Sequence, residues 1–486
     1  MAANYLHGVE TIEIERGSRA IRQVKTAVIG IVGTAPIHLV DAADRTINYP
    51  TLVLNPRDAA KYFGPVTPGF TIPAALDAVF DQGAGICIVI NVFDPATNRT
   101  VIAPASFTFA SDKITLPQKG ILVSSVTNVA ATTTYVAGTD YTINIATGVV
   151  TRLSTGAIAN NAQVQIGFTY ANPALVVPSA VIGAVDGSGN RTGMQGWQDS
   201  YSLFGFFPKI LISPVYASLT SVTAEMVVQA SRLRAIGLAD APIGTTFAQA
   251  ITGRGPVGAI NFNTSSDRLI LCYPHVKVYD LATDTEVLEP YSPRLAGTIA
   301  GKDIEKGYWW SPSNSEIKGI VGVERRLTAG INDPNSEVNL LNEVGITTIF
   351  NAFGTGLRTW GNRTAAWPTV THPRNFINVR RVADILHESV EFSMLQFLDQ
   401  PISNGLIDAI CQSVKSFINK LIGDGALIGG DCIYNPDRNS PQEISLGHLT
   451  FSLSFMPPPP LERITFESVI DINYLKSLTG SLGGNN

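Results

Sequence analysis

The stretch that most constrains this chain is Leu461–Leu475, LERITFESVIDINYL, which directly follows four prolines, Pro457–Pro460. Ile464, Phe466, Ile470, Ile472 and Tyr474 share one parity, with Ser468 between them, while Thr465, Glu467, Asp471 and Asn473 occupy the other. Alternation of period two is the signature of a half-buried strand. Four prolines form a stiff spacer that advances about 3 Å per residue and offers no N–H donor. A strand on such a spacer does not easily fold back onto its predecessor, Leu446–Met456. It is better placed to reach another sheet, including one in a second copy of the chain. The plain alternative is the last strand of the chain's own core.

The opposite end has a similar character. In residues 1–25, Tyr5, Leu6, Val9, Ile12 and Ile14 are separated by Glu10, Glu13 and Glu15. Val9, Thr11, Ile12, Glu13 and Ile14 are the expected strand of this N-terminal arm. A lone strand is not stable in water and must pair with something. Gly17-Ser18 offers a bend after it.

Between the arms the punctuation is β–α–β. Val24–Val32 and Ile86–Val92 are apolar, β-branched runs that read as buried strands, with a helix from Pro73 to Asp81 between them. The pattern resumes after residue 180 with strands at Lys209–Ser213, Ile236–Ala239 and Arg268–Cys272 and helices at Thr223–Ala235 and Thr246–Thr252. This predicts an α/β layer with a mostly parallel sheet. Residues 97–178 interrupt it with short alternating runs rich in Thr, Val, Ala and Asn, including a hairpin turn at Ala146-Thr147-Gly148, and read as an inserted all-β, sandwich-like module. From His372 the chain reads as two helices, Val379–Leu398 and Ile402–Ile422, beside strands at Asp431–Tyr434 and Gly447–Phe455. In the first helix Val382, Ile385, Leu386 and Met394 make an apolar face, and Asp384, Glu388 and Glu391 are expected to face outward. Two strands are too few to cover two helices. Leu449, Phe451, Leu453 and Phe455 are therefore expected to form a sheet that accepts the arms. The fold class is α/β multidomain: an α/β core layer, an inserted all-β domain, and an α+β C-terminal domain with extended arms.

Composition narrows the function. Charged residues are 15% of the 486, against roughly 25% in an average soluble domain, and the mean hydropathy is +0.17, so much surface is expected to lie against partners. A net charge of −5 provides no basic field for nucleic acid. The longest apolar window, Thr26–Val40, is broken by Gly30, Gly33, Pro36 and His38, so no membrane span is expected. The opening residues lack a signal-peptide layout, and Cys87, Cys272, Cys411 and Cys432 are scattered, as expected of reduced core thiols. Enzyme motifs fail individually. Gly297–Asp303 falls one residue short of a phosphate loop and carries Asp where Mg²⁺ needs Ser or Thr. Gly354-Thr-Gly356 lacks the third dinucleotide glycine. His387-Glu388 opens like a zincin helix, but Glu391 replaces the second His. No G-x-S-x-G elbow occurs. No catalytic, metal or cofactor site is expected, although an α/β hydrolase-like enzyme stays the alternative of a different class.

Several segments together carry a family resemblance: the opening YLHGVETIEIERGSRAIRQVKTAVIGIVGTAP, then WWSPSNSEIKGIVGVERRL, GITTIFNAFGTGLRTWGNRT, FINVRRVADILHESV and FSLSFMPPPPLERITFE. The chain resembles contractile tail sheath proteins of bacteriophages, particularly those of Mu- and P2-like phages and R-type tailocins. The insert at 97–178 lies outside the shared pattern. The resemblance implies a non-enzymatic structural subunit, assembled in the bacterial host cytoplasm and carried in the phage tail. Copies of the chain would stack as six-membered rings around a tail tube, joined by arms that add strands to neighbours, and contract to drive the tube through the host envelope. Implied partners are copies of itself, the tail tube protein, and baseplate and tail terminator proteins, with no nucleic acid and no membrane. The C-terminal domain lies innermost in such proteins, so Lys415, Asn419 and Lys420 on the second helix become candidate tube contacts. The expected division is an N-terminal arm (1–25), a body (26–96 plus 179–365), the outer insert (97–178), an assembly domain (366–456) and a C-terminal arm (457–486). A tailocin or type VI-like injection sheath is the neighbouring alternative; the latter is commonly built from two proteins, which one chain with both arms disfavours.

Overall fold

A computed structural model describes residues 20–475 and 477, apart from 256, 282, 331, 353 and 355. Its centre is an eight-stranded sheet in the order Gly356–Trp360, Ile346–Ala352, Leu269–Cys272, Ile236–Asp240, Ile210–Ile212, Ile29–Gly33, Cys87–Asn91, Thr51–Val53. The six inner strands are parallel and the two outermost antiparallel to their neighbours. The strand from Ile29 to Gly33 and its neighbours on both sides are buried throughout, as their unbroken apolar runs require when both faces are covered. The strand in Val24–Val32 starts only at Ile29. The helices Ile72–Asp81, Thr220–Arg232 and Phe247–Gly253 form close to the predicted places.

The glycines resembling a phosphate loop lie inside the helix Ser292–Glu305. A Cβ on Gly297 would come within 2.9 Å of Gln82 Cγ and of the Val79 carbonyl oxygen, and one on Gly301 within 2.9 Å of the Gln82 carbonyl. These glycines let two helices pack closely; they do not cradle an anion.

Between Arg99 and Ala171 the chain leaves the central sheet and forms two small ones. One orders Arg99–Thr108, Gln163–Ala171, Ile121–Asn128 and Thr134–Tyr135; the other, Lys113–Thr115, Val149–Arg152 and Tyr141–Asn144. Ile114, Tyr141 and Val150 from the second sheet and Val126, Val164, Ile166 and Phe168 from the first share one apolar core, so the two sheets are layers of one module. The strands Arg99–Thr108 and Lys113–Thr115 escaped sequence analysis. The first carries exposed side chains at most positions and has no clean alternation to detect.

His38 sits where this module meets the central sheet. It is buried, tilted against Phe70 and Phe93, and close enough to Gly120 that a Cβ there would lie 3.0 Å from its Nε2. Neither ring nitrogen has a protein partner. Burial, and then the Arg45 guanidinium whose Nη2 donates to the His38 carbonyl, hold the imidazole at about 4, below its usual 6.5. The native state therefore refuses a proton that the unfolded chain accepts, and stability falls as pH drops from 6.5 towards 4. In urea titrations the wild type should lose up to about 3 kcal/mol across that window through this residue, and His38→Phe should remove that component.

Candidate assembly interface

The C-terminal region is organised around the helix Ile377–Met394, which lies across the amino-terminal ends of the central strands. Lys209, one residue before the strand Ile210–Ile212, pairs with Glu388; its Nζ also donates to the Leu233 carbonyl at 2.8 Å. Arg268, one residue before Leu269–Cys272, binds both carboxylate oxygens of Asp384 at 2.8 Å. Arg380 adds a 2.7 Å contact to Asp384, Arg381 grips Asp303, and Arg234 reaches Glu391 at the rim. Residues 20–25 run beside the same helix: the Arg22 and Val24 N–H groups donate to Ser393 and Ser389, and Ile21 is buried.

This corrects the expectation that Asp384 and Glu388 face outward. Both are buried, Asp384 at 2% exposure, because a second face of the helix packs on the strand ends and each carboxylate finds a cation there. Burial pushes Glu388 up and Lys209 down, and each partner's charge opposes the shift. Removing one member strands the other charge in the interior.

On its other side the helix packs with Asn404–Gly423 around Val382, Ile385, Leu386, Val414, Phe417, Ile418 and Leu421. A hairpin closes this core: Gly429–Tyr434 pairs antiparallel with Phe451–Met456, from Gly429 opposite Met456 to Tyr434 opposite Phe451. Phe451, Leu453 and Phe455 pack onto the helices, with Phe455 edge-on to His387 at 5.4 Å. Leu449 lies outside the strand, which starts only at Phe451. Among the described residues no third strand joins this sheet, so both outer main-chain edges are open. A groove of about 250 Å³ runs between the helices and the hairpin, lined by His387, Val390, Met394, Ile410, Val414 and Leu453 among others. Burial first, then Arg234 and Arg380, lower the His387 pKa. Burial and then the neighbouring Cys411 push the Cys432 thiol up to about 11.

Of the candidate tube contacts, Asn419 and Lys420 are exposed, whereas Lys415 is held by Asp431 at 3.0 Å.

The segment after the prolines departs from expectation. Residues 461–471 carry no secondary structure, and Ile472–Leu475 forms a 3-10 turn in which the Asp471 carboxylate accepts from the Asn473 N–H. The alternating pattern makes no strand here because, among the described residues, no strand of the chain's own sheets pairs with it. Its apolar side chains stand in solvent: Ile464 is 64% exposed, Phe466 88%, Ile470 97%, Ile472 75% and Tyr474 79%. Fully burying one such side chain contributes about 1.5–3 kcal/mol, so the row is a large unsatisfied surface. Val9, Thr11, Ile12, Glu13 and Ile14 lie outside the described residues.

A second cleft, of about 880 Å³, lies between the central sheet's loops and the inserted module. Its titratable lining is Lys119, Tyr170, Tyr216 and Glu289, and Arg294 holds Glu289 at 3.2 Å. No helix among the described residues is long and apolar enough to cross a membrane.

The profile of the phage tail sheath protein central domain matches residues 189–365, and that of the phage tail sheath C-terminal domain matches 369–471. The tail sheath protein of Burkholderia phage BcepMu is 52% identical over 483 residues, covering 99% of this chain and all of that one. The chain belongs to the phage tail sheath family. A putative prophage major tail sheath protein of Pseudomonas aeruginosa is 32% identical over 330 residues, covering 66% of this chain and 81% of that one. The contracted helical sheath of the anti-feeding prophage has the same fold, with a TM-score of 0.61 at 17% identity, over 96% of this chain and 100% of that one. This sheath protein is thus a structural component of a contractile phage tail and of the virion. Both matched profiles begin after the inserted module.

Glu388→Ala in the sheath protein should destabilise the fold by about 3–5 kcal/mol, and Lys209→Met/Glu388→Leu should recover most of that loss, because an unpaired buried charge is worse than an apolar pair. Urea unfolding of the two variants measures both values.

Proposed function

We propose that the chain polymerises as stacked six-membered rings around a tail tube, and that its terminal arms add strands to the hairpins of neighbouring subunits. The C-terminal donor is Ile464, Phe466, Ile470, Ile472 and Tyr474; the N-terminal donor is Val9, Thr11, Ile12, Glu13 and Ile14. The acceptor is the hairpin carrying Phe451, Leu453 and Phe455, which offers its main-chain edges, since those side chains are turned onto the helices. The observation that carries this reading is the pairing of an exposed alternating apolar segment with a two-stranded sheet open on both sides. Strand addition satisfies both at once.

In this reading residues 26–96 and 179–365 form the body, 97–178 an outer module and 366–456 the assembly domain. Asn419 and Lys420 face the tube, baseplate and tail terminator proteins close the two ends, and assembly takes place in the host cytoplasm. Contraction exchanges body-to-body contacts while the arms' many main-chain bonds persist, so the work comes from relaxation of a metastable assembly. The subunit catalyses no reaction.

Negative-stain microscopy of the purified chain should show tubes. Deleting residues 1–20 or 461–486 should leave a folded subunit, with unchanged circular dichroism, that forms none. Full-length tubes from either truncation would remove the arms from the mechanism.

A further inference from the structure

The sequence GLRTWGNRT, one of the segments carrying the family resemblance, has no role in what precedes. Its last arginine, Arg363, lies between two aromatic rings, 4.2 Å from the Trp367 centroid and 3.9 Å from that of Phe376. The guanidinium Nη1 donates to Asn375 Oδ1 at 2.8 Å, and the segment is pinned alongside by the Thr364 N–H to the Asn375 carbonyl and the Ile377 N–H to the Asn362 carbonyl. The remaining donors face the C-terminal arm: Nε reaches Glu462 Oε1 at 3.0 Å and Nη2 reaches Oε2. Four residues earlier the Pro458 carbonyl accepts from Asn378 Nδ2 at 3.0 Å, and Pro457 is buried. The proline spacer is thus bound to the helix Ile377–Met394, and among the described residues Glu462 is the last of the arm that hydrogen-bonds to the rest of the subunit.

We propose that Arg363 and Glu462 form a clasp that fixes where the C-terminal arm leaves the subunit, so that the donated strand begins at Arg463 with a set origin and direction. This rests on the strand-donation reading above. A guanidinium stacked on both faces has little freedom left to lose, and its two parallel bonds hold a carboxylate in one plane. With the clasp closed, the free tether starts after Glu462; with it open, the tether starts at Pro458 and its end explores a larger volume. A strand that must meet a neighbour's edge in one register gains from the shorter, oriented tether. Arg363 and Glu462 are positioning residues: they act on the donated strand without belonging to it.

The bond after Arg463 reports the clasp directly, because trypsin cleaves there only when the chain can enter the enzyme's cleft. In unassembled full-length subunits, Glu462→Ala and Arg363→Gln should each raise cleavage at Arg463–Ile464 about tenfold, the size expected when a charge-assisted pair is lost, after normalisation to peptides of the same sequence. Tubes formed by Glu462→Ala should be fewer and shorter, with an unchanged unfolding midpoint. Cleavage at the wild-type rate in both variants overturns the clasp, and raised cleavage with wild-type tubes overturns its role in assembly. A chain lacking residues 464–486 that still builds tubes counts instead against strand donation, which separates the two failures.

Discussion

The buried charges along the helix Ile377–Met394 hold the sheath subunit together. Lys209 and Arg268 stand at the starts of two strands of the central sheet that flank Ile236–Asp240, and they meet Glu388 and Asp384 one turn apart on that helix. Buried ion pairs add little net stability, because desolvation consumes most of their attraction. They do penalise every arrangement that separates the partners. The helix is thereby held in one position on the sheet, and its other face supports the second helix and the hairpin. The open sheet edges and the root of the C-terminal arm inherit their placement from it.

This matters for a protein whose task is mechanical. A subunit that transmits force needs a junction that does not slip between the part that moves and the part that stays attached. The charged seam provides that junction, and under the proposed strand addition the open hairpin edges and the exposed arm provide attachment. An added strand spreads load over many main-chain bonds, each worth about 0.5–1.5 kcal/mol net. In the proposed mechanism the free energy of contraction resides in contacts between subunits.

Much of the fold was legible in the sequence. The parallel sheet was readable because strands buried on both faces need uninterrupted apolar, β-branched residues, as in Cys87–Asn91. The inserted module was readable from its composition and turns, although Arg99–Thr108 was missed for lack of alternation. The direction of Asp384 and Glu388 was misread. Helical periodicity separates apolar from polar positions, and it cannot tell a carboxylate in solvent from one that meets a cation supplied more than a hundred residues earlier in the chain. The arm segment was read as an amphipathic strand better placed to pair outside its own subunit; within the single chain residues 461–471 form no strand, because alternation records a capacity to pair and a strand also needs an edge beside it.

By itself the sequence determined the layered α/β core, the interruption at 97–178, the two amphipathic helices and the alternating pattern of the end, since each follows from local periodicity and turn chemistry. Tertiary structure alone decided which charges are buried against each other, that Gly297 and Gly301 serve helix packing, that the proline spacer is bound to the helix Ile377–Met394, and that Arg363 meets Glu462. Those outcomes depend on residues far apart in the chain arriving at one place, and no local pattern encodes such a distance.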